Sequence, residues 1–311
     1  MSAAREAAEA SGARASRPAG AAPRPMDATA AGTMILLCAM WGVGQAAIKI
    51  GNTGMSPLWQ AGLRSVCAAL VLIAWMRLRG IPLRPAPGMA RWGLLMGAVF
   101  ALEFVFLYPG ISLTLAARGT VLLYTAPFFV AIGAHFVLGD RLTPSRVAGL
   151  LLAFGGVVVA LADRGGGGGG GDWRGDLMCL AAGAMWALTT LIVKASPLVS
   201  QRPERTLLDQ LIVSAPLLFG ASWIAGETGL FAPSPAVWMA FAYQVAIASF
   251  SYLGWFMMVQ RHSPASVSAF TFLTPLFGVG FAALLLGEPL TPALVVAAAL
   301  IAAGIWLVNR R

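Results

Sequence analysis

Few side chains in this 311-residue chain could do chemistry, and the most informative sit inside apolar runs. Arg64 lies within WQAGLRSVCAALVLIAW and Glu103 within GLLMGAVFALEFVFLYPG. An ionisable group inside such a run is costly in hydrocarbon and usually functional. At 1.5 Å per residue both lie roughly 10–12 Å from the outer side, Arg64 after the start of its run and Glu103 before the end of its own, so they could meet. One reading is a structural ion pair tying two helices. The other is a contact to a cargo or a proton. An aromatic set also sits away from the loops: Trp41, Tyr108, Tyr124, Phe128, Trp186, Trp255, Phe256 and Phe272. Trp and Tyr usually gather at membrane interfaces. Trp41 and Trp186 lie nearer mid-run, so they are expected at a central cavity, with Tyr108, Tyr124 and Trp255 as further walls. Aromatic walls suit an apolar, aromatic or cationic cargo. Plain bundle packing is the alternative for any one of them.

Four residues are candidates for gating or hinge motion. Lys49 and Lys194 close their runs; they are either snorkelling to the interface or a symmetry-related pair of gates. Pro127 and Pro275 lie within runs, where each would remove a backbone donor and kink or loosen a helix. Arg118 and Asp209 start runs and are expected at the interface. His135 reads as a satisfied polar residue rather than a proton relay. Gly42, Gly44 and Ala46 are small enough to let helices approach closely.

These residues belong to a pattern that occurs twice. YTAPFFVAIGAHFVLGDRLTP, residues 124–144, returns as FLTPLFGVGFAALLLGEPLTP, residues 272–292. Pro127 matches Pro275, Gly139-Asp140 matches Gly287-Glu288, and Leu142-Thr143-Pro144 matches Leu290-Thr291-Pro292. Ala39-Met40-Trp41 with Lys49 likewise returns as Ala184-Met185-Trp186 with Lys194. Two echoes in one order, at nearly one offset, mean a duplicated unit. Glu103 aligns with Ser251, so the Arg64–Glu103 pair has no copy in the second unit.

Composition names the solvent. Hydrophobic residues make up 59% of the chain and charged residues only 11%, against about a quarter charged in a soluble domain. This is an integral membrane protein. Apolar runs fall at about 33–50, 57–77, 92–112, 118–138, 144–162, 177–196, 206–225, 236–258, 265–286 and 292–309. Each approaches the roughly 20 residues that span a bilayer core as a helix, and none alternates as a barrel strand would. The expected fold is all-α, with ten transmembrane helices. Residues 1–32 form a basic tail without apolar period, expected to be disordered. Residues 163–176, with seven glycines at 165–171, form a flexible linker. The units on either side are 33–162 and 177–309. Cys38, Cys67 and Cys179 lie inside apolar runs and read as core residues.

Lysine and arginine placement sets orientation. With the N-terminus inside, Arg5, Arg14, Arg17, Arg24, Arg77, Arg79, Arg84, Arg91, Arg141, Arg146, Arg202, Arg205, Arg261, Arg310 and Arg311 are cytoplasmic. Only Arg164 and Arg174 are outside. Both termini are then cytoplasmic. Five spans per unit is an odd number, so the second unit crosses inverted relative to the first, as in many secondary transporters. The net charge of +9 is scattered over loops and does not suggest nucleic acid.

The ten runs, the two five-helix repeats, the Trp-x7-Lys pattern and the proline followed by Gly-Asp/Glu-x-Leu-Thr resemble the drug/metabolite transporter superfamily, EamA type. The resemblance covers about 33–309 and implies a cytoplasmic (inner) membrane carrier of small organic solutes, often an exporter of amino acids or other metabolites. It does not name the cargo. No P-loop is present, since the glycine tract lacks the GK[ST] ending. No cofactor, metal or catalytic residue is expected. The expected partners are a small-molecule substrate and the lipid bilayer, with the chain a monomer or homodimer. Alternative readings are a non-transporting sensor or scaffold and a membrane-embedded lipid enzyme. The enzyme would need clustered carboxylates, histidines or a metal set.

Overall fold

The computed structural model describes residues 26–139, 143–163, 171–261 and 270–309. Residues 1–25, Asp140, Arg141, Leu142, residues 164–170 of the linker, residues 262–269, Arg310 and Arg311 lie outside the described residues, as do the side chains of Phe256 and Phe272.

Helix α1 runs from Ala28 to Gly51 and starts earlier than the apolar run, because the Asp27 carboxylate accepts from Ala30 N at 2.7 Å and caps it. Helices α2, Pro57–Leu78, and α3, Ala90–Leu113, follow. The fourth expected span is broken into two helices, α4, Ala116–Leu123, and α5, Ala126–Leu138. Next come α6, Pro144–Ala162, α7, Trp173–Ala195, and α8, Pro203–Ile224. Helix α7 takes in the last residues assigned to the linker and is capped by Asp172, which accepts from Arg174 N. The eighth run divides into α9, Pro235–Ala246, a π turn at Ile247–Ser251, and α10, Tyr252–Arg261. A 3₁₀ turn at Phe270–Phe272 leads into α11, Leu273–Leu286, and α12, Pro292–Asn309, ends the described chain.

Pro127 and Pro275 are not mid-helix kinks. Pro127 sits in the first turn of α5, and Pro275 is the third residue of α11. There the missing N–H is one that no helix would have paired. The prolines within helices are Pro109 in α3 and Pro216 in α8. The repeated Gly-acid-x-Leu-Thr-Pro motif is a stop-and-start device. Gly139 and Gly287 take φ of 70° and 65°, a left-handed conformation that favours glycine at helix ends. Thr143 Oγ1 then accepts from Arg146 N, and Thr291 Oγ1 from Leu294 N, capping α6 and α12.

Eight segments among the described residues are long and apolar enough to cross a membrane: α1, α2, α3, Ala116–Leu138, α6, α7, α8 and Pro235–Trp255. Leu273–Leu286 and Pro292–Val308 are apolar but shorter. Phe136, Leu151, Phe154, Met239 and Leu284 stand exposed on the outside, a surface suited to lipid rather than water. The chain is a multi-pass membrane protein.

Most of the packing joins helices before the glycine linker to helices after it. α6 lies on α12, α2 and α3 on α8, α3 on α7, and α1 on α11. Helices α4 and α5 pack on α7, and α1 touches α9. The core therefore forms between the two sequence units, and the residues of interest lie in it.

Candidate functional site

Helix α3 presents Phe100, Phe104 and Tyr108 on one face, because residues four apart are neighbours on a helix. Their rings form an edge-to-face ladder, with centroids 4.7 Å apart for Phe100–Phe104 and 5.7 Å for Phe104–Tyr108. Arg64 of α2 lays its guanidinium on this ladder. Its central carbon is 3.9 Å from the Phe104 centroid and 5.6 Å from that of Tyr108, which places it in cation–π contact. Arg64 is 7% exposed, and its Nε and Nη2 have no hydrogen-bond partner.

The expected direct Arg64–Glu103 pair does not form. No ion pair within 4.0 Å joins them; the three ion pairs among the described residues involve other groups. Glu103 is displaced by roughly 100° around α3 from its neighbour Phe104. An arginine stacked on Phe104 therefore does not lie along the direction of Glu103. The Glu103 carboxylate is still within electrostatic reach of Arg64, Tyr124 and Tyr252. Glu103 is 6% exposed, and no described side chain hydrogen-bonds to it.

The aromatic residues are held from several helices. The Tyr108 hydroxyl donates to Gln244 Oε1 at 2.7 Å, and Gln244 Nε2 donates to Ala47 O at 3.0 Å, joining α3, α9 and α1. Trp41 Nε1 donates to Ser251 Oγ at 3.0 Å, and its ring lies 5.5 Å from that of Trp255. Ser251 closes the π turn, a local widening common at functional sites. Tyr124, at the α4–α5 break, meets Trp186 of α7 edge-on at 5.4 Å. Thr274 Oγ1 is buried near the Cys38 thiol and the Tyr124 hydroxyl. Trp41 with Trp255 and Tyr124 with Trp186 thus make two contacting pairs, while Arg64, Glu103 and Tyr108 gather along α3.

The four gating candidates lie elsewhere. Lys49 Nζ is 3.4 Å from Glu288 Oε1 and also donates to Thr114 O. Glu288 accepts from Ala116 N at 2.7 Å and Ala117 N at 2.9 Å, so its carboxylate caps α4 from across the sequence. Lys194, the repeat mate of Lys49, is exposed near the end of α7. Pro127 and Pro275 start α5 and α11, each just after an interruption in the helix.

Arg118, in the first turn of α4, is buried among protein groups. It donates Nε to Asp176 Oδ1 at 3.2 Å, Nη2 to Asp176 Oδ2 and Nη1 to Asp163 O. Thr114 Oγ1 donates to Asp176 as well, at 2.6 Å. Asp209 is buried too, accepting from Arg205 and from Gln201 Nε2 at 2.9 Å. The sequence pattern does not single out Asp176, Gln244 or Tyr252. Glu288 was visible as the acid of the repeated turn, but not as a capping group.

The sequence pattern of the EamA-like transporter family matches residues 29–162 and again residues 173–310. The chain belongs to the EamA-like transporter family. A probable amino-acid metabolite efflux pump of Salmonella typhimurium is 30% identical over 283 residues, 88% of this chain and 92% of that protein. Its Escherichia coli K12 counterpart, of the same description, is 28% identical over 282 residues, again 88% and 92%. An uncharacterized inner membrane transporter of E. coli K12, YedA, is 26% identical over 269 residues, 84% of each chain. A crystal structure whose chain is 20% identical covers 90% of this chain and 95% of its own with a TM-score of 0.65, a likeness of fold. These EamA-like relatives are named as transporters rather than enzymes.

Proposed function

We propose that this EamA-like chain is a secondary carrier that exports a small, amino-acid-like organic metabolite across the cytoplasmic membrane by alternating access. It crosses ten times, as two inverted five-helix units, with both termini cytoplasmic. Helices α11 and α12 are the last two spans. The names of its relatives support the cargo class and the direction. The packing supports the repeat, because it maps onto itself when the units are exchanged. α1 lies on α11 as α7 lies on α4 and α5, and α1 touches α9 as α7 touches α3.

The reading rests above all on how differently the two repeat-related lysines are held. Lys49 is engaged with Glu288 and Thr114, closing one end between the units. Lys194 is exposed. In the alternate state the arrangement exchanges: Lys49 releases and Lys194 meets the first Gly-acid turn. By the arginine count, the end closed here faces outward, so this conformation opens inward. The α4–α5 break and the π turn lie where the helices would bend, and Arg64, Glu103 and the aromatic pairs lie between the ends as the cargo site.

The test is uptake of labelled amino acids and related metabolites by the purified protein in liposomes, with and without a pH gradient, beside Glu103→Gln. The proposal expects saturable uptake of at least one solute. Acceleration by the gradient that Glu103→Gln abolishes would add proton coupling. Uptake of nothing in a broad panel by folded protein would contradict transport.

A further inference from the structure

The two arginines buried among the described residues use the same edge of the guanidinium in different ways. Arg118 directs Nε and Nη2 at the two oxygens of Asp176. That is the two-pronged geometry in which a planar guanidinium matches a carboxylate. Arg64 is a buried cation too, yet its Nε and Nη2 have no acceptor. Phe104 covers a face of its guanidinium at 3.9 Å. A ligand must then approach in the plane of the group, where these two N–H groups point. The nearby carboxylate of Glu103 lies within electrostatic reach but not within ion-pair distance. The buried guanidinium of Arg64 and the buried carboxyl of Glu103 thus lie near each other without pairing, as partners for a molecule that carries a carboxylate and an ammonium on one carbon.

We propose that Arg64 is the carboxylate anchor of the cargo site and that the cargo is a zwitterion, its carboxylate on the Nε–Nη2 edge of Arg64 and its ammonium facing Glu103. This rests on the transporter reading and deepens it. It makes Arg64 a specificity-determining residue. A cargo without a carboxylate leaves two charged donors unpaired in a medium of low dielectric. Sites built around a hydrogen-bonding group reject analogues lacking it far more strongly than they reject a missing methylene. The aromatic residues then grade the side chain, while Arg64 and Glu103 recognise what all such cargoes share.

The experiment compares triads on the full-length protein in detergent by calorimetric titration, and in liposomes by flux. Each triad is an L-amino acid, its carboxamide and the amine left on removing the carboxyl, taken for leucine, phenylalanine and threonine. Wild type, Arg64→Gln and Arg64→Lys are measured. The expected result is that the acid binds at least roughly 100-fold more tightly than its amide or amine. Arg64→Gln removes that preference, and Arg64→Lys, which keeps the charge but not the fork, retains part of it. The ratio of acid to amide is a readout that a merely structural arginine would not move. If wild type transports acid and amide equally well, the anchor is overturned and the carrier stands. Acid preference that survives Arg64→Gln overturns the anchor as well. If the preference appears in binding but no solute moves, the anchor stands and the carrier reading falls. If folded protein neither binds nor moves any member, both fall.

Discussion

Lys49 Nζ lies 3.4 Å from Glu288 Oε1, joining residues on opposite sides of the glycine linker. The contact is part of a wider closure, because Glu288 also holds the first two N–H groups of α4. Glu288→Ala removes a helix cap and the partner of a lysine together. We expect it to destabilise by about 1–2 kcal/mol through the cap, and Lys49→Met to cost less, since the lysine side chain is 28% exposed. The double variant should be no less stable than Glu288→Ala alone. Thermal unfolding in detergent checks this, and additive losses would mean that the two residues act independently.

The Arg118–Asp176 pair is enclosed, with side chains 4% and 3% exposed. Removing one charge strands the other in a low-dielectric interior. Asp176→Asn should therefore cost about 3–5 kcal/mol, whereas replacing both, as Arg118→Met with Asp176→Leu, should recover most of that loss. Size-exclusion chromatography after graded heating reads the difference. A double variant as unstable as Asp176→Asn would contradict a bracing role.

Two of the four glycines of helix α1, Gly42 and Gly44, lie in different surroundings. A Cβ on Gly42 would stand 2.8 Å from Phe277 Cβ and 2.9 Å from Gly278 N, against the backbone of α11. A Cβ on Gly44 would meet nothing within 4 Å. Gly42→Ala should destabilise by about 1–3 kcal/mol through overpacking. Gly44→Ala should be neutral or stabilise by up to about 1 kcal/mol, as glycine is a poor helix former. Melting temperatures of the two variants decide it.

Trp41 and Ser251 offer a finer test of the cargo site. Trp41→Phe keeps an aromatic ring near Trp255 but loses the hydrogen bond to Ser251. That bond should be worth about 1 kcal/mol, so cargo affinity should fall several-fold. Ser251→Ala should do the same, and the pair together no more. A Trp41→Phe protein with unchanged affinity would leave the bond outside cargo binding.

How much of this could be read from the chain depended on the range of each interaction. The apolar runs and the duplication are local or periodic signals, and both are legible in the sequence. The partner of Lys49 was not, since nothing in a Gly-Glu turn says which helix terminus its carboxylate will reach. The start of α1 was legible in principle, as Asp27 is a good cap, but the apolar run alone put it later. The interruption at Tyr124–Thr125 lies inside an unbroken apolar stretch, and Pro127 was read as its kink rather than as the start of α5. The failure of Arg64 to pair with Glu103 depends on rotation about α3. Equal depth in the membrane does not reveal rotation.

The most direct test of the central claim is counterflow. Liposomes holding the purified protein are loaded with unlabelled cargo, and entry of labelled cargo is followed against empty liposomes. A carrier that exposes one site alternately to either side should take up label faster when loaded, and should accumulate it transiently above the outside concentration. Label that enters at the same rate whatever lies within, without saturating, would contradict alternating access and point to a pore.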